Sequence, residues 1–243
     1  MIIKELIKYI LEGHKYSSNT YVKYLKRKGV KIGDNIEIFF PNKTHIDDLN
    51  PHLLEIGSFV SMTGPITILT HDYSVCVTKK KYNGYILGSQ KKTVIGDNVF
   101  LGWGCCILPG ANVGNNVIIG AKAVVSGKIE SNSVYAGNPA RKICTLDEFY
   151  SKRRDRQVSE AVKIYQEYKI KYNETPPKEL FHEYFFLFCG GRECFDNLIP
   201  EFERKLYDHG NYEESKECLI NNVSQFKSYS DFCKYAETGV NNG

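Results

Sequence analysis

A chain of 243 residues, 42% hydrophobic and 25% charged, can bury one large core or two small ones and has the composition of an ordinary soluble protein. Its formal net charge of +4 is small and spread over both ends, which gives no case for a nucleic-acid partner. Eight cysteines show no CxxC pair and no ladder of spacings, so they read as reduced, buried thiols of a cytoplasmic protein, not a disulfide scaffold or a zinc site.

The opening MIIKELIKYILEG carries Lys4, Glu5 and Lys8 among its apolar residues, and is neither a signal peptide nor long enough to span a membrane. Residues 2–12 place Ile2, Ile3, Leu6, Ile10 and Leu11 on one helical face, and a second helix over Thr20 to Lys28 ends at Gly29. Residues 1–29 are therefore expected to form a helical cap on the open end of the repeat that follows. The basic run from Lys23 to Lys28 reads as a solvated face, with weak association to a membrane surface as the alternative.

A six-residue repeat begins at Ile32-Gly33-Asp34-Asn35-Ile36, is disturbed between Pro41 and Leu54, and resumes at Ile56-Gly57. It stops at Thr70-His71-Asp72-Tyr73. Ile68 and Ile95 lie 27 residues apart, which is not a multiple of six, so an inserted loop over 74–92 leaves after His71 and re-enters near Val94. A loop of that length in a compact solenoid points to function. From Ile95 the repeat is unbroken: Ile95, Leu101, Ile107, Val113, Ile119 and Val125 form one series, and Val99, Cys105, Ala111, Val117, Ala123 and Ile129 follow four residues behind.

A period of six fits neither a helix face nor a strand face alone. It fits a solenoid in which each hexad is one short flat strand and three hexads close a triangular coil, with the aliphatic residue pointing to the axis. Gly96, Asn98, Gly114, Asn115 and Asn116 then occupy corners, where positive φ or local side-chain bonding is needed. Beyond Ile143 the composition changes. Thr145-Leu146-Asp147-Glu148 is a capping box that opens a charged helix toward Tyr172, and Pro176-Pro177 breaks it. Further helices are expected near 178–189, 193–208, 212–226 and 231–236, packed through Phe181, Tyr184, Phe185, Leu187 and Phe188.

The run IGDNVFLGWGCCILPGANVGNNVIIGAKAVVSGKI and the closing SNSVYAGNPARKI resemble the hexapeptide-repeat acyltransferases, relatives of maltose, galactoside and xenobiotic acetyltransferases. The resemblance implies a mainly β fold: a left-handed parallel β-helix over 30–143, with the loop insertion 74–92. Around it stand the short N-terminal helical cap and an appended C-terminal α-helical region over 144–243. It implies acetyl-CoA as co-substrate, no metal, and a homotrimer whose three active sites lie at subunit interfaces, the loop after His71 reaching onto a neighbour.

His71, at the end of a strand and the start of the loop, resembles the family's catalytic histidine. A neutral imidazole, with an ordinary pKa near 6.5, accepts a hydroxyl's proton as that hydroxyl attacks a thioester. The same resemblance implies that the strand Val99 to Trp103, beside His71, receives the pantetheine arm on its backbone at Gly102 and Trp103, with a second contact at Ala121. An amide near Gly102 would bond the oxyanion. Ser126 and Lys128 stand where the family has a Thr-Lys pair, the lysine displaced by one position. Arg141 matches the phosphate-binding arginine, and a second arginine of the family is Cys144 here, so Lys142 or another subunit would supply that charge.

The pattern Asp-x-x-Pro-x-Leu-Leu-x-Ile-Gly followed by Thr-His-Asp is similar to hexapeptide acetyltransferases of surface-polysaccharide loci. A saccharide acceptor would then find carboxylates at Asp47 or Asp48 and at Asp72, each of which also reads as a turn residue. The implied reaction is O-acetylation of a capsule or lipopolysaccharide sugar. Other readings are acetylation of an amino sugar or antibiotic, a γ-carbonic anhydrase using His71 with His45 and His52, or a solenoid without catalysis.

Overall fold

The computed structural model describes residues 11–238, so the expected helix over 2–12 lies almost wholly outside the described residues. The chain divides into two compact units, one ending at Phe149 and one beginning at Tyr150.

The first unit is a parallel β-helix of three sheets. Sheet A stacks Lys31–Ile32, Leu54–Ile56, Thr93–Ile95, Asn112–Val113 and Lys128–Ile129. Sheet B stacks Glu37–Ile38, Val60–Met62, Val99–Leu101, Val117–Ile119 and Ser133–Ala136, closed by the antiparallel Arg141–Thr145. Sheet C stacks His45–Ile46, Thr67–Ile68, Cys106–Ile107 and Val124–Val125. Successive members of the aliphatic series fall in turn on A, B and C: Ile95, Leu101 and Ile107, then Val113, Ile119 and Val125 directly above them. None of the six is more than 1% exposed. Full burial of such a side chain stabilises the fold by about 1.5–3 kcal/mol, which is why the hexad phase locks the coil register.

The corner between A and B shows how the two corner residue types divide the work. Asn35, Asn98, Asn116 and Asn132 take left-handed backbone, with φ of 53–57°. Asn98 donates its side-chain amide to Asn116, and Asn116 to Asn132, each at 2.9 Å, which makes an asparagine column. Gly96 serves differently: a β-carbon there would stand 2.6 Å from the Gly114 carbonyl of the next coil. Close approach of coils, not positive φ, demands that glycine.

Helix α1 (Ser18–Lys28) is opened by Ser17, which accepts from the Thr20 amide, and is ended by left-handed Gly29. Its Tyr21 and Leu25 join the β-helix core, and the Ile46 amide donates to the Tyr21 hydroxyl. Burial pushes that phenol up to about 12, so it stays neutral. The insertion after His71 forms helix α2 (Val75–Lys81) and returns antiparallel, with Asp72 bonded to Ser89, Lys91 to Thr70, and a bridge between His71 and Gln90.

Helix α3 (Leu146–Asp155) carries the capping box: the Glu148 amide donates to the Thr145 hydroxyl and the Thr145 amide to the Glu148 carboxylate. The single helix expected toward Tyr172 is two, because the Arg156 amide turns back to Arg153; α4 runs Gln157–Tyr172. In place of a helix near 178–189 stand two short 3₁₀ turns, Lys178–Phe181 and Phe185–Leu187. Phe181, Phe185 and Phe188 would share one helix face, but Leu187, about 100° off it, is buried as well. Four short helices follow: α5 (Gly191–Asp196), α6 (Pro200–Leu206), α7 (Tyr212–Ile220) and α8 (Tyr229–Thr238).

The expectation of eight reduced, buried thiols is corrected here. Cys189 and Cys194 are joined as a disulfide across the Gly190–Gly191 turn, their Cα atoms 5.6 Å apart, at a spacing that a search for CxxC pairs misses. Cys76 and Cys218 are free but exposed.

Candidate active site

His71 follows the Thr67–Ile68 strand of sheet C at the corner where the chain turns toward sheet A. Below it, Asp47 follows His45–Ile46 of the same sheet, and its amide pairs with the Ile68 carbonyl. That pairing aims the Asp47 carboxylate at Thr70 and His71. One oxygen accepts from the Thr70 amide at 2.9 Å and the Thr70 hydroxyl at 2.6 Å, and lies 2.5 Å from His71 Nδ1. The other accepts from the Leu49 amide at 3.1 Å.

Asp47 is 2% exposed. Burial alone would raise its carboxyl, but the bonds from Thr70, Leu49 and His71 outweigh it and hold the group below its ordinary value. An ionised Asp47 places the imidazole proton on Nδ1 and leaves the Nε2 lone pair for an incoming proton. Tyr73 packs edge-on against the ring, with centroids 4.7 Å apart. This orienting role of Asp47 did not emerge from sequence, where the residue stood only as one of two carboxylates for sugar hydroxyls. The pair is 24 residues apart, whereas a regular coil of three hexads returns to the same corner every 18, so the coil period does not align it.

Asp48 accepts from the Tyr24 hydroxyl at 2.7 Å and lies 3.8 Å from Lys28, which ties the coil to α1. Asp72 accepts from the amide and hydroxyl of Ser74, both at 2.7 Å, and closes its own turn. Neither carboxylate contacts His71 through a hydrogen bond.

The residues expected on the donor side divide between two edges of sheet C. Gly102, Trp103 and Ala121 stand at the corner between B and C, and Arg141 pairs with Ala136 at the top of that corner. Ser126 stands at the corner between C and A, the one that carries His71, and Lys128 opens the sheet A strand just beyond it. One expectation is thereby corrected: His71 does not lie beside the strand Val99 to Trp103 of its own chain. The reason is the phase of the repeat: a triangular coil carries residues six apart to different corners.

A further correction concerns the Gly102 amide. It donates to the Ile119 carbonyl at 2.8 Å, so it is not free for an incoming arm. Among the described residues, the amides of Trp103, Gly104 and Ala121 are among those at this corner that donate to no protein acceptor. Trp103 lies over Gly64, where a β-carbon would stand 2.5 Å from the indole, and Phe40 meets it edge-on at 5.2 Å. Lys142, the expected substitute cation, is paired with Glu130 at 2.6 Å. Among the described residues no three of His, Cys, Asp or Glu converge as metal ligands, and no helix is long and apolar enough to cross a membrane.

Residues 92–127 match the family described as bacterial transferase hexapeptide (six repeats). Protein CapG of Staphylococcus aureus is 32% identical over 53% of this chain and 73% of its own length. Galactoside O-acetyltransferase of Escherichia coli K12 is 30% identical over 60% of this chain and 68% of its own length. A putative lipopolysaccharide biosynthesis O-acetyl transferase of that bacterium, WbbJ, is 50% identical over 21% of this chain and 26% of its own. The chain thus spans about two thirds to three quarters of the first two relatives and a quarter of the third. On its repeat and these relatives, the chain belongs to the hexapeptide-repeat acetyltransferases, acyltransferases that depend on acetyl-CoA.

Proposed function

We propose that this protein transfers the acetyl group of acetyl-CoA to a hydroxyl of a saccharide, of the kind found in capsules or lipopolysaccharides. The observation that carries the reading is the Asp47–His71 pair, an imidazole held by a buried carboxylate with Nε2 left open at the root of an exposed loop. A sugar hydroxyl is too weakly acidic to attack a thioester unaided. As its oxygen bonds to the thioester carbonyl carbon, its proton passes to His71 Nε2. The carbon–sulfur bond then breaks, and the proton moves on to the departing thiolate. Asp47 fixes the tautomer and stabilises the imidazolium between these steps. The saccharide acceptor is supported by the names of the galactoside and lipopolysaccharide relatives.

The division of the site between two corners supports a homotrimer. The His71 corner of one protomer would face the Trp103–Ala121 corner of the next, completing three sites. In the single chain, Val77, Tyr82, Tyr85, Ile86 and Leu87 of the loop remain exposed, as a surface awaiting a neighbour would be.

The test supplies purified protein with acetyl-CoA and a panel of oligosaccharides, and follows free thiol and product mass. An alkali-labile ester on a hydroxyl is the expected product. An amide product, or thiol release indifferent to every sugar, would overturn the acceptor assignment.

A further inference from the structure

His45–Ile46 is the end strand of sheet C, with a partner strand on one side only. In a parallel ladder successive amides point to opposite sides. Those of His45 and Asp47 go to Ile66 and Ile68 of the next coil. That of Ile46 points the other way, where it donates to the buried Tyr21 hydroxyl of α1 at 3.2 Å. Helix α1 treats the end strand of sheet B alike. The Ser18 hydroxyl accepts from the Ile38 amide at 2.9 Å and donates to the Ile36 carbonyl at 3.2 Å. To this extent the helix stands in for a missing coil, because a buried amide without an acceptor is costly.

Capping does not account for Tyr24. Three residues after Tyr21 and on the same face of α1, it donates at 2.7 Å to the Asp48 carboxylate, a partly exposed group that water would otherwise serve. Lys28, one turn on, lies 3.8 Å from the same oxygen. The Tyr24 ring is itself held by His14, stacked on it with centroids 3.8 Å apart. Lys15 donates to the Thr44 carbonyl at 2.8 Å. Residues 44, 46 and 48 are thus each gripped from the N-terminal side, and Asp47 sits between the last two. Among the described residues the Asp47 carboxylate bonds to Thr70, His71 and the Leu49 amide, and to nothing in α1. Its aim at His71 therefore depends on where the backbone over 46–48 is held.

We propose that Tyr21 and Tyr24 are positioning residues: α1 fixes the chain on either side of Asp47, and through it the aim of Asp47 at His71. The inference rests on the Asp47–His71 reading above. A displacement of about 1 Å at a reacting pair is enough to lower a rate by about 10²-fold, and a hydroxyl on each flank narrows the swing open to the carboxylate.

The experiment measures kcat and both KM values, for acetyl-CoA and for the panel saccharide that yields an ester. It uses full-length Tyr24→Phe, Tyr21→Phe and the double variant, each in the wild-type and the Asp47→Asn background. Phenylalanine keeps the ring and removes only the hydroxyl. In the wild-type background Tyr24→Phe should lower kcat by about 3- to 30-fold, and the double variant by at least as much, with both KM values within about twofold. In Asp47→Asn, where no charge remains to be aimed, the same changes should move kcat by less than about twofold. Tyr24 is only half-buried, so Tyr24→Phe should melt close to wild type and carries the test if Tyr21→Phe fails to fold. Equal fold losses in the two backgrounds, or an unchanged kcat in the first, would overturn the positioning role. So would a raised saccharide KM with kcat kept, which would assign Tyr24 and Asp48 to the acceptor. Each of those results leaves the Asp47–His71 pair standing. An Asp47→Asn enzyme that keeps more than about a tenth of wild-type kcat overturns the pair itself, and this inference with it.

Discussion

At the scale of single residues, the contact between Asp47 and His71 carries the proposed chemistry. Replacing His71 with alanine should lower kcat by about 10²- to 10⁴-fold, the usual worth of a general base, without changing the affinity for coenzyme A. Asp47→Asn preserves shape but removes the charge that sets the tautomer, so kcat should fall by about 10²-fold. A variant of either residue that keeps more than a tenth of wild-type kcat refutes its assignment. The same aspartate gives a stability signature. Its carboxyl lies below the ordinary value in the fold, so its contribution is full above the unfolded value, about 3.9, and fades as pH falls through the folded one. Melting temperatures of wild type and Asp47→Asn should differ most near neutral pH and converge below about pH 4. A gap that widened in acid would contradict this. His71 was legible from its place at the end of the repeat. Asp47 was not, because its partner is set by how two irregular coils stack.

At the scale of elements, the hexad explains the coil, and the glycines explain how tightly coils stack. Gly64 is the sharpest case, because the Trp103 indole occupies the space a β-carbon would need. Gly64→Ala should cost about 1–3 kcal/mol from overpacking. Trp103 is the sole tryptophan of the chain, so its fluorescence reports this corner alone. The emission should change in Gly64→Ala and again when coenzyme A binds to wild type. Emission indifferent to saturating coenzyme A would move the donor away from this corner. The hexads also foretold the insertion, through the broken count between Ile68 and Ile95. The helix inside it was not foretold: Val75–Lys81 is short and exposed, with no buried face to leave a periodic mark. In the second unit, Thr145 and Glu148 announced a helix start, whereas the aromatic run after Pro177 misled. Its dense Phe residues suit a helix by count but are buried on several sides by 3₁₀ turns.

For the whole molecule, the trimer proposal makes a prediction that a monomeric enzyme would fail. His71 and Ala121 stand on opposite corners of one chain, so each completed site would draw them from different protomers. Coexpressed His71→Ala and Ala121→Glu chains, each inactive alone, should recover about a quarter of wild-type activity in randomly mixed oligomers. Light scattering should report three chains per particle. A monomer at micromolar concentration, or mixtures as inactive as their parents, would refute the shared site.

What the sequence by itself determined is everything local and periodic: the solenoid, the phase of its three faces, the break at His71, and the capping box at Thr145. Each rests on a side chain's preference for the axis, the corner or a helix end, and such preferences act within a few residues or recur at a fixed interval. The tertiary structure alone decided what meets what across coils. It aimed Asp47 at His71, spent the Gly102 amide on Ile119, and folded Lys122 over Gly104. It also set the residues proposed to hold the donor on separate edges of sheet C. Those outcomes depend on the stacking of segments 17 to 24 residues apart, including coils whose length departs from eighteen, and no local preference encodes that sum.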